Sequence, residues 1–313
     1  MTPRLTLSGR RAAITLDAPE RRNALGPDDL HALQRALAEI ERDEAIDVAI
    51  LQATGDTFCS GYDLRALRRE LGAAAASAAQ RAFAAVVDAL EALSVPTICA
   101  LQGGAYGGGS DLALACDVRI GTPRTELRVP AARFGLQFYS GGLRRYVERL
   151  GPDAAKRVFL LAETLNADDL LRIGYLTAVV GNDELSRHVD DVSERILANS
   201  RQAVRGLKRS LNALARGEAR AEAIDDAFAA SLRDADTIAL RTNRATGELA
   251  RASSGRSRRA RHREECRHRD SDISEKSVGA SNPSPCAPGG RGVRIVSRNS
   301  ASVPALGWIR DES

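Results

Sequence analysis

Apolar and polar residues alternate differently in successive parts of the chain. Residues 5–7 and 12–16 alternate or run apolar on either side of Ser8-Gly9-Arg10, which predicts a short β-hairpin. Gly26-Pro27 then opens a segment in which apolar residues keep helical spacing to about Glu44. Later apolar runs predict further elements, over residues 47–52 (a buried strand), 64–93 (an Ala-rich helix) and 95–101 (a strand).

The pattern beyond residue 101 favours helices. It predicts a helix that ends near Ala115, short strands near residues 118–120 and 127–129, and a helix over residues 142–150. From there to about Leu249 we predict helices separated by turns that contain glycine, at Gly151-Pro152, Gly174 and Gly181. Because strands and helices alternate first and helices dominate later, the sequence predicts an α/β fold with a helical C-terminal part.

The composition changes close to the C-terminal end. Residues 252–313 hold 12 of the 45 Lys/Arg and 7 of the 41 Asp/Glu, are rich in Ser, Pro and Gly, and contain neither Phe nor Tyr. Such a segment buries too little apolar surface to fold alone, so we predict a disordered tail. Residues 1–251 carry 33 Lys/Arg against 34 Asp/Glu, which leaves no basic face for nucleic acid. Nucleic-acid binding by the tail is the alternative.

The cysteines and the N-terminal residues bear on metals and location. Five widely spaced cysteines form no C-x-x-C or Cys/His pattern, so we expect no metal site. Cys99 and Cys116 lie in apolar runs, as buried thiols in a reducing compartment do. No apolar signal region is visible and no segment approaches the roughly 20 apolar residues of a membrane span. We therefore expect a cytoplasmic protein without a membrane partner.

A cluster of glycines stands in the stretch QGGAYGGGSDLALACD, residues 102–117. A phosphate-binding loop would need Lys-Ser/Thr after the last glycine, and Leu112 breaks the register of a dinucleotide fingerprint. A tight strand-to-helix turn stays open as one interpretation. The other is a site where backbone N–H groups at the start of a helix meet an oxyanion. FCSGYDL, residues 58–64, is a second turn of this kind, in which Asp63 could alternatively cap a helix.

Together these segments resemble the crotonase superfamily of enoyl-CoA hydratases and isomerases. The similar segments follow the family's order over about residues 3–250: LDAPERRNALGPDDL, ATGDTFCSGYDL, VPTICALQGGAYGGGSDLALACDVRI, RFGL with GGLRRYVERLG, and LNADDLLRIGYLTAVV. The resemblance implies a crotonase-like spiral of ββα units over residues 1–200. It also implies a helical trimerisation region over residues 201–251, and with it a homotrimer or a hexamer built as a dimer of trimers.

The resemblance also implies residues that bind an acyl-CoA substrate. By position, the N–H groups of Tyr62 and Gly108 would form an oxyanion hole for the thioester carbonyl. Arg22 or Arg21 would meet the CoA phosphates, although a surface arginine without that role is the alternative. The passage for the acyl-CoA would be lined by the backbone at Tyr62, Asp63, Leu64, Arg65 and Gly107. Coenzyme A would enter as part of the substrate, so no separate cofactor is expected.

The acid–base residues depart from the family's pattern. The family's hydratases carry two glutamates, and the matching positions here are Asp111, three residues after Gly108, and Ala131, which follows Pro130. Losing one carboxylate removes about 10²–10⁴ from a general acid–base step. Asp111 could instead only satisfy the helix dipole. Tyr139 and Ser140 could supply a substitute hydroxyl or line the acyl pocket.

These departures decide the expected chemistry. We expect an enzyme of fatty-acid-type metabolism that acts on an acyl-CoA thioester through an oxyanion-stabilised enolate. Efficient hydration by two carboxylates is disfavoured, and isomerisation or decarboxylation fits the remaining residues better. The alternatives are a decarboxylase that uses the oxyanion hole alone and a catalytically weak acyl-CoA-binding paralogue in an assembly.

Overall fold

The computed structural model describes residues 3–63 and 73–233. The predicted tail over residues 252–313 lies outside the described residues. So do Leu64 and Arg65, the first part of the predicted helix over residues 64–93, and the end of the predicted C-terminal helical region.

The N-terminal elements agree with the hydrophobic pattern. Strands β1 (Arg4–Ser8) and β2 (Arg11–Leu16) form an antiparallel hairpin, and Gly9 takes the left-handed conformation in its turn (φ +58°). Helix α1 (Pro27–Arg42) starts with proline, and the Asp29 carboxylate accepts the Gly26 N–H at 2.8 Å. That acceptor satisfies a donor which a helix N-terminus otherwise leaves unpaired.

Pairs of strands, the first two followed by helices, then wind the chain into a spiral. The elements are β3 (Val48–Ala53), β4 (Thr57–Cys59), α2 (Ala73–Ala92), β5 (Thr97–Leu101), β6 (Gly104–Tyr106), α3 (Gly108–Leu114), β7 (Val118–Gly121) and β8 (Glu126–Arg128). The first strand of each pair joins one sheet and the second strand joins another, so each successive pair adds one strand to both sheets.

Short elements and helices complete the described chain. They are a 3₁₀ turn (Ala131–Phe134), α4 (Ser140–Leu161), β9 (Leu165–Asn166), α5 (Ala167–Arg172), β10 (Ala178–Val179), a 3₁₀ turn (Asn182–Glu184), α6 (Leu185–Leu197), α7 (Arg201–Ala215) and α8 (Ala221–Arg233). Helix α4 is longer than the predicted helix over residues 142–150, but it breaks at Gly151 (φ 79°, ψ 163°), where the sequence predicted a turn. Strand β8 matches the short strand predicted near residues 127–129, whereas β4, β6, β9 and β10 were not predicted, because two or three residues show no periodicity.

The two sheets have complementary orders. One contains six strands in the order β1-β2-β3-β5-β7-β10, and the other contains four in the order β4-β6-β8-β9. Within the six-stranded sheet every pair except β1–β2 is parallel. Neighbouring residues of β5 show that this sheet is covered on both faces: Cys99 belongs to the main core, whereas Ile98 packs into a second cluster with Leu185 of α6.

Helix α7 contacts the body through polar side chains. Arg201 pairs with the buried Asp47, and the Lys208 ammonium lies 2.7 Å from Asp117 and donates to the Val95 carbonyl at 2.8 Å. The opposite face is apolar and turned outward, because Leu207, Leu211 and Leu214 are 62%, 62% and 56% exposed. Among the described residues, helix α7 therefore leaves an apolar stripe without a partner.

Within residues 3–63 and 73–233, every helix is too short or too polar to cross a bilayer.

Candidate active site

The two glycine turns predicted from the sequence meet in space. Gly61 follows β4 with φ +88°, and a β-carbon built on it would lie 2.9 Å from the Gly108 nitrogen and 2.9 Å from the Tyr106 oxygen. Residue 61 must therefore be glycine both for its backbone conformation and for the space around it. The ends of β4 and β6 are packed backbone against backbone.

Hydrogen bonds to Leu25 orient the backbone after Gly61. The Leu25 N–H donates to the Gly61 oxygen at 2.8 Å, and the Asp63 N–H donates to the Leu25 oxygen at 2.9 Å. Since N–H groups alternate in direction along an extended chain, the Tyr62 N–H points to the side opposite Leu25. The structure thus brings the turn that carries Tyr62 and Asp63 next to the turn of Gly107 and Gly108.

Gly108 begins helix α3, so its N–H has no acceptor within the helix. A side chain there would collide with the end of the Phe83 ring, because the added β-carbon would lie 2.6 Å from Cζ. The next glycine, Gly109, packs with its β-carbon position 2.4 Å from the Cys59 carbonyl oxygen. The start of helix α3 therefore packs against Phe83 of α2 on one side and against Cys59 of β4 on the other.

Asp111, one turn into α3, is fully buried and is bound on both carboxylate oxygens. Arg145 Nε donates to Oδ1 at 3.1 Å and Arg145 Nη2 donates to Oδ2 at 3.1 Å. The Tyr139 hydroxyl also donates to Oδ2. The carboxylate predicted as a catalytic group therefore lies behind the Tyr139 hydroxyl, within a side-on guanidinium pair.

Arg145 itself has no exposed side-chain surface. Its Nη1 donates to Asp88 at 3.0 Å and to Glu91 at 2.9 Å, so three carboxylates surround one guanidinium. Burial disfavours the charged form, but the hydrogen bond and charge of Asp111, together with Glu91, outweigh burial and raise the pKa of Arg145 above its ordinary value. The arginine is a permanent cation in the protein interior.

Tyr139 connects this buried cluster to the region of the glycine turns. Burial, and then the charge and hydrogen bond of Asp111, raise the pKa of Tyr139 far above its ordinary value, so the phenol stays protonated. Its ring stands edge-on to Phe83, with centroids 6.3 Å apart, and Phe83 is the ring that touches Gly108. Tyr139 was predicted from the sequence as a pocket residue. Arg145 and Phe83 were not predicted as site residues.

Ala131 opens the 3₁₀ turn after Pro130 and is partly buried against the main core. Its methyl group leaves that position without a carboxylate. Ser140, the other hydroxyl considered from the sequence, starts α4 and is exposed.

Helix α3 is held at both ends by α4. In the first turn, the Ser110 hydroxyl lies 2.7 Å from the Tyr146 hydroxyl. At the other end, Arg149 Nη1 donates at 2.6 Å to the carbonyls of Leu114 and Cys116, which the helix leaves unpaired. These contacts fix the position of the helix that carries Gly108 and Asp111.

A cavity of about 590 Å³ lies beside the glycine turns and is rich in arginine. Arg22, Arg128 and Arg133 line it together with Ser60 and Thr164. The Arg22 guanidinium lies 4.8 Å from the centre of the Tyr106 ring, which is a cation–π distance. Arg21, the alternative phosphate contact, pairs with Asp29 at 2.8 Å instead.

The side chains around the site also bear on thiolate and metal chemistry. Burial raises the pKa of the Cys59 thiol to about 12, so this cysteine is not a thiolate nucleophile near neutral pH. Among residues 3–63 and 73–233, no group of three or more His, Cys, Asp or Glu side chains is placed to hold a metal ion.

Solved structures identify the fold. An enoyl-CoA hydratase/carnithine racemase from Magnetospirillum magneticum matches with a TM-score of 0.74 and 27% sequence identity, over 79% of this chain and 93% of that chain. The spiral of strand pairs is therefore a crotonase fold, and the predicted fold class is confirmed. The sequence model described as Enoyl-CoA hydratase/isomerase matches residues 9–235, and the chain belongs to that family.

Characterised relatives carry related activities. A crotonyl-CoA hydratase of Syntrophomonas wolfei subsp. wolfei is 33% identical over 202 residues, which are 64% of this chain and 77% of the relative. A carnitinyl-CoA dehydratase of Proteus mirabilis is 32% identical over 205 residues, with 65% of this chain and 77% of the relative covered. The protein is thus an enzyme of the hydratase/isomerase family.

Proposed function

We propose that the protein binds an acyl-CoA thioester with the carbonyl oxygen between the N–H groups of Tyr62 and Gly108. The observation that carries this proposal is the contact between the two glycine turns, which brings both N–H groups into one region. A donor aimed at a developing enolate oxygen is worth roughly 3–4 kcal/mol of barrier reduction. Two such donors make enolate formation the central step.

The proton-handling group of this site is the Tyr139 hydroxyl, with Asp111 behind it. In double-bond isomerisation the Tyr139 oxygen takes a proton from the substrate while its own proton moves to Asp111 Oδ2. The C–H electron pair enters the conjugated enolate, whose oxygen the two N–H groups hold. Reversing both proton shifts at another carbon of the conjugated system returns the proton and moves the double bond.

Hydration is the less suitable reaction for these residues. Water addition needs one group that activates water and another that delivers a proton to carbon, and the second position of the family's pair is Ala131. An alanine methyl can do neither. We therefore place isomerisation ahead of hydration, in agreement with the expectation from the sequence.

Decarboxylation of a β-carboxyacyl thioester is the second candidate, and the pairing of Asp111 with Arg145 favours it. Protonating Asp111 weakens its bidentate pair with a buried cation, which opposes use of the Tyr139–Asp111 pair as a strong base. Decarboxylation needs no base. The bond to the carboxylate breaks, CO₂ leaves, the electron pair forms the thioester enolate, and the enolate carbon then takes the Tyr139 proton, which solvent replaces.

The CoA part of the substrate finds support in the arginine-lined cavity. Arg22, Arg128 and Arg133 offer guanidinium groups that suit phosphate oxygens. Arg22 stands three residues before Leu25, whose N–H donates to the oxygen of Gly61. Asp29 engages Arg21, so we assign the phosphate contact to Arg22.

The assembly and the location are proposed on separate grounds. The outward apolar stripe of Leu207, Leu211 and Leu214 needs a cover, and a second copy of the chain in a trimer or a dimer of trimers supplies it. Cys59, Cys99 and Cys116 are buried free thiols, which supports a reducing, cytoplasmic location.

A thioester panel in D₂O tests the proposed function. The purified protein is mixed with enoyl-, saturated acyl- and malonyl-type CoA thioesters, and deuterium uptake at carbon, double-bond position and CO₂ release are followed by mass spectrometry and NMR. We expect exchange or turnover in the wild type and a loss of at least about a hundredfold in Tyr139→Phe, which deletes one oxygen atom. Thioester binding without exchange, isomerisation or CO₂ release would identify the catalytically weak paralogue instead.

A further inference from the structure

The buried carboxylate cluster around Arg145 has an arrangement that ion pairing alone does not require. One contact with the guanidinium would be enough to compensate the charge of Asp111, yet Arg145 holds the carboxylate side-on with Nε and Nη2, both at 3.1 Å. A planar guanidinium that meets a carboxylate in this way fixes its plane as well as its position. The orientation of the Asp111 carboxylate is therefore determined by Arg145.

The remaining donor of the guanidinium fixes Arg145 in turn. Nη1 reaches Asp88 at 3.0 Å and Glu91 at 2.9 Å, and both acids lie on helix α2. Arg145 thus connects three helices: α4 carries it, α2 supports it, and α3 carries the carboxylate that it orients. Glu91 is itself held by Arg144 Nη2 at 2.5 Å, which restrains the support.

The orientation of the carboxylate in turn affects the Tyr139 hydroxyl, which donates to it. Oδ2 accepts from both Arg145 Nη2 and the Tyr139 hydroxyl, so a rotation of the carboxylate displaces the acceptor of Tyr139. The Tyr139 ring can follow, since its aromatic neighbours contact it by an edge (Phe83) or a face (Phe138) and do not bind its oxygen. A displacement of about 1 Å in a catalytic group costs up to about a hundredfold in rate.

We propose that Arg145 is a positioning residue of this enzyme, which sets the place and direction of the Tyr139 hydroxyl through the Asp111 carboxylate. The proposal rests on the proposed function for its kinetic consequence, but its geometric part stands by itself. If Arg145 only stabilised the fold, its substitution would lower the melting temperature and leave the position of the Tyr139 hydroxyl unchanged.

The experiment compares Arg145→Lys with Arg157→Lys. Both keep a positive charge on the same helix, but lysine has one donor atom and cannot form the side-on pair. Arg157 pairs with Glu163 and Asp169, which lie outside the cluster around Arg145, so it is the control. For Arg145→Lys we expect kcat to fall at least about tenfold with KM changed less than about threefold, and for Arg157→Lys we expect both to stay within about twofold.

A double-mutant cycle separates positioning from stability. In a Tyr139→Phe background, Arg145→Lys should cause no further loss of kcat, because the hydroxyl through which it acts is gone. Additive losses would overturn the proposal. Glu91→Gln removes one support of Arg145 and should lower kcat by a smaller factor. This variant keeps the proposal testable if Arg145→Lys folds poorly.

A spectroscopic measurement on the full chain works without turnover. The chain has five tyrosines, so ¹³Cζ-tyrosine labelling gives few resonances, and Tyr139→Phe assigns the relevant one. Arg145→Lys should move the Tyr139 resonance and Arg157→Lys should not. An unmoved resonance in a folded Arg145→Lys protein would overturn the positioning role, whatever the substrate. If Arg145→Lys moves the Tyr139 resonance but the wild type acts on no thioester, the positioning role is supported and only the proposed function is overturned.

Discussion

The backbone nitrogen of Gly108 lies where a β-carbon on Gly61 would touch it, at 2.9 Å. Two turns that stand 46 residues apart in the sequence therefore share one contact that tolerates no side chain on the first of them. This contact explains the glycine at residue 61 better than flexibility does. Each turn is shaped by the presence of the other, so neither was interpretable on its own.

The contribution of the Gly108 N–H can be isolated with paired variants. Any side chain at residue 108 meets the end of the Phe83 ring, so both variants are made with Phe83→Leu, which lacks the distal ring atoms. Gly108→Pro removes the N–H at a first helical position, where proline is tolerated, whereas Gly108→Ala retains it. We expect turnover of the proline variant to lie at least about a hundredfold below that of the alanine variant. Equal rates in steady-state assays of the two folded proteins would place the thioester oxygen elsewhere.

Asp111→Asn should abolish isomerase-type turnover and leave thioester affinity within a few-fold. The amide removes the negative charge that holds the Tyr139 hydroxyl and leaves Arg145 with a weaker partner in the interior. Calorimetric binding and turnover are measured side by side, with the melting temperature as the check on folding. If CO₂ release from a malonyl-type thioester persists in this variant while isomerisation disappears, decarboxylation on the oxyanion hole is the better description.

Ala131→Glu, combined with Asp111→Glu, should raise water addition to crotonyl-CoA. The double variant restores the two-glutamate pattern of the family's hydratases at the matching positions. Hydration is followed as loss of the enoyl absorbance, and Ala132→Glu, which places a carboxylate one residue away on an exposed position, is the control. A folded double variant without a gain would show that residue 131 does not face the substrate.

The sequence anticipated much of the fold for a definite physical reason. The hairpin, helix α1, and the cores of β3 and β5 follow from apolar patterns that extend over five or more residues, or from turn residues such as Gly9 and Gly26-Pro27. Strands β4 and β6 contain three residues each, and their place in a second sheet depends on long-range pairing that no local pattern expresses.

The candidate site was anticipated less completely. Tyr62, Gly108, Asp111 and Tyr139 were proposed from the resemblance, and the structure brings Asp111 and Tyr139 into direct contact. Arg145 was missed because its local signal, an arginine four residues before Arg149 on a helix, is equally typical of a solvent-exposed face. Its burial follows from three acidic partners on two other helices, and only the folded arrangement reveals them.

Leu211→Glu should reduce the mass of the particle in solution. Helix α7 is docked by Arg201 and Lys208, so a charge on its outward stripe disturbs an interface between copies more than it disturbs the subunit. Gln202→Glu, on the opposite side of the same helix and exposed, is the matched control. Light scattering should show the wild-type mass in the control and single subunits in Leu211→Glu. An unchanged mass in both would exclude this stripe as the interface.

Glu91 should contribute to loss of stability in acid. Burial opposes its charge, but Arg145, Arg144 and Arg149 outweigh burial and lower the pKa of Glu91 below its ordinary value. Between that lowered value and the unfolded value of about 4.3, the unfolded chain binds the proton more readily, so stability decreases as pH falls through this window. Urea unfolding at pH 7 and pH 3.5 should show a smaller difference in Glu91→Gln than in the wild type. The exposed Glu39→Gln should behave as the wild type does.

The attachment of helix α3 at both ends, through Tyr146 at Ser110 and through Arg149 at the carbonyls of Leu114 and Cys116, has a consequence for how a substrate is received. A segment of seven residues is ordinarily too short to persist without neighbours, yet here its neighbours leave it no independent motion. The hydrogen-bonded amides in the second half of this segment, from Leu112 on, should exchange with solvent hydrogen only when the entire domain opens. The proposed receptor for the thioester oxygen is therefore expected to be preformed before any ligand binds. Its stopped-flow association should show a single concentration-dependent phase, with no later step in which the protein adapts.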